Sequence, residues 1–292
     1  MSAVDSTVVF KARVQALGLG AIWDRFEVRG WNTHGNFSFA SSYVPGNGDD
    51  TAFMRDVVEE LSVVDATVHA PIRRLHYESY LTTMGEMRWR AQGNETDERP
   101  RAIPGPERID RLQVSQAAYP SIDVADELEP ADTTVDKYEA MREKGTLRYL
   151  EWSEHPRRDV EAQLAFKTPK ALFGVDKDGL LRLSNQEQGI LADVSTDRKM
   201  EKTLGRRGVA MDLSQLLDFS GHVELVKWYM REYDREPPPG YRKVTVQQII
   251  TTDREIFKRL AELSRSGLES LGDGLHPLTA RLQTVTSEPR IQ

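Results

Sequence analysis

Residues 67–92, TVHAPIRRLHYESYLTTMGEMRWRAQ, are the stretch that decides the fold class of this chain. Leu75, Met84, Met87 and Trp89 are apolar positions separated by arginine and glutamate, a pattern typical of an amphipathic helix. Pro71 lies in the first predicted turn, where its missing backbone N–H breaks no hydrogen bond. The stretch therefore predicts one long helix.

Similar spacing of apolar residues recurs along the chain and predicts further helices. They cover residues 4–19, 51–61, 193–217, 221–233 and 246–263. Strand patterns are confined to residues 147–152, which alternate, and to a hairpin at residues 171–184 around the turn Asp176-Lys177-Asp178-Gly179. The predicted fold class is mainly α, with helical lobes and a small β-hairpin insertion.

A polar, proline-containing segment divides these helices into two groups. The predicted N-terminal helical lobe is residues 1–99, and the predicted C-terminal helical lobe is residues 131–292, with the hairpin near residues 171–184. Residues 100–130 are predicted to be a proline-rich and acidic linker that includes a short helix from Pro106 to about Ala117. We expect Thr133 or Thr134 to cap the next helix and Gly145 to end it.

The composition of the 292 residues excludes several classes of protein. The chain has no Cys, so disulfides and thiolate chemistry are impossible. No apolar run approaches the roughly 18 residues of a membrane-spanning helix, and the N-terminus lacks the pattern of a secretory signal. The net charge of −7 argues against a surface covered with nucleic-acid-binding charge. We therefore expect an intracellular protein, cytoplasmic or nuclear, with no membrane partner.

No familiar catalytic, metal or cofactor motif occurs in the sequence. His69 and His76 are seven residues apart, but a zinc site needs a further ligand and usually the HExxH spacing. GxSxG, P-loop and GxGxxG motifs are absent. The prediction is no catalytic residue, no metal ligand and no cofactor. The eight acidic residues within 121–143 leave one alternative open, a two-metal nuclease site.

One local cluster of positive charge stands out against the acidic whole. It consists of Arg198, Lys199, Lys202, Arg206 and Arg207, with Glu201 as the single acid among them. On a helix, positions 199, 202 and 206 share one face, so they form a candidate strip for contacts with phosphates. The alternative is a solvated helix face that pairs with the acidic residues of 121–143.

Several stretches, taken in order, resemble a known group of sequences. They are SSYVPG (41–46), IRRLHYESY (72–80), PRAIPGPER (100–108), ELEP (127–130), TLRYL (146–150), RRGVAMDL (206–213), EPPPGY (236–241) and TTDREIF (251–257). Together they resemble an uncharacterised, heavily duplicated domain in predicted proteins of dinoflagellate algae, some of them beside reverse-transcriptase-like or transposon-like sequence. The resemblance implies an association with mobile elements and carries no catalytic residue over.

These observations predict a non-enzymatic interaction or assembly module of a mobile-element-type protein, with a protein partner or self-association. A first alternative is a nucleic-acid-associated accessory protein that uses the basic strip. A second alternative is an enzyme, nuclease-like, with a non-standard acidic site.

Overall fold

A computed structural model of the chain describes residues 3–46, 48–91, 102–124, 126–166, 172–175, 181–184, 190–265, 267–268 and 276–287. The chain divides into two compact units. Unit 1 comprises Met1–Arg99 and Ile103–Arg111, and unit 2 comprises Pro100–Ala102 and Leu112–Gln292. The described residues are mainly helical, which confirms the mainly α part of the predicted fold class.

Unit 1 contains five helices and the start of a sixth among its described residues. They are α1 (Thr7–Ala16), α2 (Trp23–Val28), α3 (His34–Ser38), α4 (Thr51–Phe53), which continues as a π-helical turn (Met54–Glu59), α5 (His69–Ala91) and α6 (Gly105–Ala118). Side-chain oxygens cap two of them: Ser6 accepts from the backbone N–H of Val9, and Thr33 accepts from that of Asn36. The long helix predicted over residues 67–92 is α5.

The core of unit 1 is aromatic. The Phe10 ring meets Phe26 edge to face at 5.9 Å between centroids, and Phe26 meets Phe37 in the same way at 5.2 Å. α5 packs against α3 through a buried face that includes Ile72 and Leu75. The opposite face of α5 faces outward, so unit 1 is built on one side of its longest helix.

Unit 2 holds the remaining helices of the described residues. They are α7 (Asp132–Glu143), α8 (Arg158–Phe166), α9 (Asp197–Leu213), α10 (Phe219–Asp234), α11 (Val246–Leu263) and α12 (Thr279–Thr286), with 3₁₀ turns at Asp126–Leu128 and Trp152–Glu154. Thr245 and Gln248 form a reciprocal capping box at the start of α11. This box explains why the predicted helix 246–263 and α11 have the same bounds.

The cap of α7 differs from the prediction. Its N-cap residue is Ala131, which has no side-chain acceptor. The carboxylate of Glu161 in α8 replaces one, because it accepts from the backbone N–H groups of Asp132 at 2.6 Å and Thr133 at 3.1 Å. The carboxylate of Glu161 thus provides the N-cap acceptor that was predicted to come from Thr133 or Thr134.

The strand predicted at residues 147–152 is wrong. Residues 146–151 are irregular, and Trp152–Glu154 is a 3₁₀ turn. The side chains of Tyr149 and Trp152 both reach Asp253. In a strand, residues three apart point to opposite faces, so this shared target is incompatible with the predicted alternation.

The predicted hairpin is not confirmed. Two short antiparallel segments, Leu172–Val175 and Leu181–Ser184, pair with each other. The turn Asp176-Lys177-Asp178-Gly179 on which the prediction rested lies outside the described residues, so the hairpin with that turn stays a prediction.

Candidate anion-binding cleft

The predicted basic strip lies at the start of α9. α9 begins there because the Thr196 hydroxyl accepts from the backbone N–H of Lys199 at 3.4 Å. Arg198 and Lys199 are exposed, and Lys202 is partly exposed. Arg206 is only 6% exposed and Arg207 is fully buried. Arg207 therefore cannot belong to a solvent-facing strip, and this part of the prediction is wrong.

Arg207 instead forms the centre of a buried polar network. Its two terminal nitrogens donate to the two carboxylate oxygens of Asp253, at 2.6 and 2.9 Å. The same carboxylate accepts from the Tyr229 hydroxyl at 2.6 Å, and from the Tyr149 hydroxyl and the Trp152 indole at 2.7 Å each. Burial opposes ionisation of Asp253, but the Arg207 charge and these donors lower its pKa overall.

The network extends to two histidines. Arg207 Nε donates to His222 Nε2 at 2.9 Å, and the His222 ring lies against Gly208, where a Cβ would come within 2.8 Å of His222 Nδ1. The Tyr138 hydroxyl is 2.8 Å from His155 Nε2. Burial, assisted by the Arg207 charge, lowers the pKa of His155 to about 3. Both histidines are therefore neutral structural groups at physiological pH.

The exposed part of the strip lines a cleft of about 500 Å³ in unit 2. Five basic side chains line it: Arg157, Arg198, Lys199, Lys202 and Arg206. Two acidic side chains, Glu127 and Asp193, are also present, and Pro156, Val160, Leu191 and Ala192 supply an apolar part. The lining therefore carries an excess of positive charge on a chain whose net charge is −7.

Carboxylates partly neutralise the cleft. Lys199 Nζ is 2.6 Å from Asp193 Oδ2, and Lys202 pairs with Glu127. These hydrogen bonds hold the pKa values of Asp193 and Glu127 below their ordinary range. Arg198 makes no ion pair within the part of the chain that the structure describes. The predicted pairing with the acidic residues of 121–143 is thus present for Lys202, whose partner is Glu127. The partner of Lys199, Asp193, lies outside that segment.

Arg206 differs from the other basic side chains of the cleft because it is held rigidly. Its Nε donates to the carbonyl of His155 at 2.8 Å, its Nη1 to the carbonyl of Glu127 at 3.1 Å, and its Nη2 to the Thr203 hydroxyl at 2.7 Å. All three acceptors are neutral. Burial, with a contribution from the charge of Arg157, lowers the pKa of Arg206 to about 10. No carboxylate of the described residues pairs with this guanidinium.

The acidic residues considered for a nuclease site are spread over separate pairings. Glu129 pairs with Arg158, Glu139 with Arg142, and Glu127 with Lys202. Among the described residues, no group of three or more His, Asp or Glu side chains is placed to hold a metal ion. His76 is buried among aromatic rings, and neither ring nitrogen has a hydrogen-bond partner within those residues.

Sequence reasoning missed two residues of unit 2 that matter for the cleft and its support. Arg157 lines the cleft, although it lies 41 positions before Arg198 in the sequence. Asp253 neutralises Arg207, and its only sequence signal is an acid within the apolar pattern of α11. A charged residue on the buried side of an amphipathic helix needs a partner, which would have pointed to such a pair.

Comparison with known proteins gives no relative for this chain: no family model, no curated protein and no solved structure matches it. No helix within the described ranges combines the length and the apolar character needed to cross a membrane.

Proposed function

We propose that this chain is a non-enzymatic binding module that contacts the phosphates of nucleic acid through the cleft of unit 2. The observation that supports the proposal is the composition of the cleft lining, which has five basic side chains and two acidic ones. Arg157, Lys199 and Lys202 are paired with carboxylates, whereas Arg198 and Arg206 have no ion pair within the described residues. Phosphates release counterions when lysine and arginine neutralise them, and this term supplies most non-specific binding to nucleic acid.

The non-enzymatic part of the proposal rests on where the titratable groups lie. His155, His222 and Tyr229 have strongly shifted pKa values and are fully buried, and they bond to Tyr138, Arg207 and Asp253 respectively. The shifted carboxylate of the cleft, Asp193, is held in an ion pair with Lys199. A catalytic acid or base must reach its substrate. None of the three buried side chains, His155, His222 and Tyr229, lines the cleft.

A nucleic acid suits the cleft better than an acidic protein segment does. Arg198 and Lys199 are exposed and Lys202 is partly exposed, and the three lie within about one turn of α9, so they can contact neighbouring phosphates of one strand. The net charge of −7 repels nucleic acid from most of the surface and so confines contact to this region. The resemblance to mobile-element-associated domains agrees with such a partner.

A salt titration tests the proposal. Binding of labelled single-stranded RNA and DNA would be measured by fluorescence anisotropy for the wild type, for Arg198→Gln with Lys202→Gln, and for a control in which the exposed Lys227 and Lys258 become Gln. We expect weak binding that falls steeply with salt, and a loss of about two units of log–log slope in the cleft variant only.

Two outcomes would contradict the proposal. One is the absence of binding at low salt. The other is equal weakening in the cleft variant and in the control variant. Binding of polyglutamate without binding of RNA or DNA would identify a module for acidic proteins instead.

A further inference from the structure

We propose that Arg206 is the anchor of a site for a terminal phosphate monoester, so that the cleft captures the phosphorylated end of a single strand or a free nucleotide. This inference deepens the proposed function and rests on the same cleft. It assigns the anchoring role to a buried residue, whereas the proposed function depends on the exposed cations Arg198, Lys199 and Lys202.

The state of the Arg206 side chain supports this role. A guanidinium has five N–H donors, and three of them are used on His155, Glu127 and Thr203. One N–H on each terminal nitrogen is left without a partner in the described residues. A phosphate offers two oxygens to such a pair of donors on one planar guanidinium.

The charge of Arg206 points to an anionic ligand. Only 6% of the residue is exposed, and its three acceptors are neutral oxygens. Glu127 and Asp159 attract this charge without forming an ion pair with it. Because a buried charge needs close compensation, an anion in direct contact with the guanidinium would be favoured. Arg207 next to it shows the contrast, because Asp253 neutralises that guanidinium within the fold.

The volume of the cleft suits the end of a chain. Its volume of about 500 Å³ lies in the range that holds one small organic ligand. A phosphate within a strand brings a sugar on each side, whereas a terminal phosphate enters by its free end and brings a single sugar and base. Leu191, Val160 and Pro156 line the same cleft and offer apolar surface to that sugar or base.

The test compares ends at constant sequence. Oligothymidylates of about ten nucleotides with a 5′-phosphate, a 3′-phosphate or hydroxyls at both ends would be titrated by anisotropy into the wild type. The variant is Arg206→Lys, which keeps the charge and loses the fork, and the control is Arg231→Lys on the exposed side of α10. We expect one phosphorylated end to bind about tenfold tighter than the hydroxyl oligomer, and the preference to vanish in Arg206→Lys only.

Competition with thymidine monophosphate, thymidine and inorganic phosphate separates the two sources of the ligand. Displacement by the monophosphate alone extends the site to free nucleotides, and no displacement restricts it to strand ends. Equal binding of all oligomers, with no displacement by the monophosphate, overturns the inference and leaves the proposed function intact. Monophosphate binding without any oligomer binding would support the site and contradict the proposed function. If Arg206→Lys fails to fold, the difference in affinity of the wild type for phosphorylated and hydroxyl-ended oligomers still tests the inference.

Discussion

Replacing Asp253 by Asn should destabilise unit 2 more than any other isosteric change of a single acid. The carboxylate accepts five hydrogen bonds, two from Arg207 and one each from Tyr149, Trp152 and Tyr229. An amide in its place turns one acceptor into a donor that faces other donors, and it leaves the Arg207 charge buried without compensation. Breaking a buried pair in this way costs about 3–5 kcal/mol.

The expected loss is measurable as a melting temperature. A domain of about 150–250 residues loses about 2–4 °C per kcal/mol, so Asp253→Asn should lower the melting temperature of unit 2 by about 6–20 °C. The matched control is Glu255→Gln, two residues further along α11, where the carboxylate is half exposed and pairs with Lys258. That change should alter stability by less than about 1 kcal/mol.

A double-mutant cycle isolates the ion pair. Arg207→Met alone and Asp253→Asn alone each remove one charge, whereas the double variant leaves no buried charge of this pair uncompensated. The double variant should therefore be less destabilised than the sum of the two single variants, as measured by urea unfolding at constant slope. The role given to this network would be refuted if the losses of unfolding free energy in the two single variants add up to that of the double variant. It would also be refuted if Asp253→Asn and Glu255→Gln had the same melting temperature.

Two further predictions concern other buried positions. Burial lowers the pKa of His76 to about 4, below the value of about 6.5 in the unfolded chain, so its contribution to stability should fall as the pH drops from about 6.5 towards 4. His76→Phe removes two ring nitrogens that have no partner among the described residues, so it should raise the melting temperature at pH 7 and weaken the dependence of stability on acid pH. Thermal melts followed by circular dichroism would test this, and a steeper loss of stability at acid pH would contradict it. Gly208→Ala should destabilise unit 2 by about 1–3 kcal/mol because the new Cβ meets His222 and Phe219. Gly85→Ala, where nothing lies within 4 Å of the new Cβ, should stabilise α5 by about 0.5–1 kcal/mol. Calorimetry that finds stability changes of the same sign for both variants would contradict this reasoning.

The longest helices, α5, α9 and α11, were predictable because their signals are local, whereas α8 and α12 were not predicted. The apolar spacing of residues 246–263 and the Thr245–Gln248 box lie within one segment, so α11 follows from the sequence around it. The cap of α7 depends on Glu161, which is 29 positions from Asp132. A capping acceptor that comes from a different helix leaves no signal in the sequence around the cap.

The candidate cleft was predicted in part. Lys199, Lys202 and Arg206 were recognised because their spacing places them on one helix face, and Arg198 because it lies in the same short basic cluster. Arg206 and Arg207 are adjacent in the same window, yet one lines the cleft and the other pairs with Asp253. Helical spacing shows which residues share a face, but it does not show which face another helix covers.

The position of Asp253 along the chain has a consequence for how unit 2 is made. Its partners Trp152 and Tyr149 precede it by 101 and 104 residues, and Arg207 precedes it by 46. A ribosome delivers α7 and α9 long before it delivers α11, so Arg207 has no counter-charge until that last long helix emerges. A shortened gene copy that stops before residue 253 would encode a chain with this arginine unneutralised, and cellular proteases would be expected to remove it. Any shortened chain that keeps this network must therefore contain the segments that supply Tyr149, Trp152, Arg207, Tyr229 and Asp253.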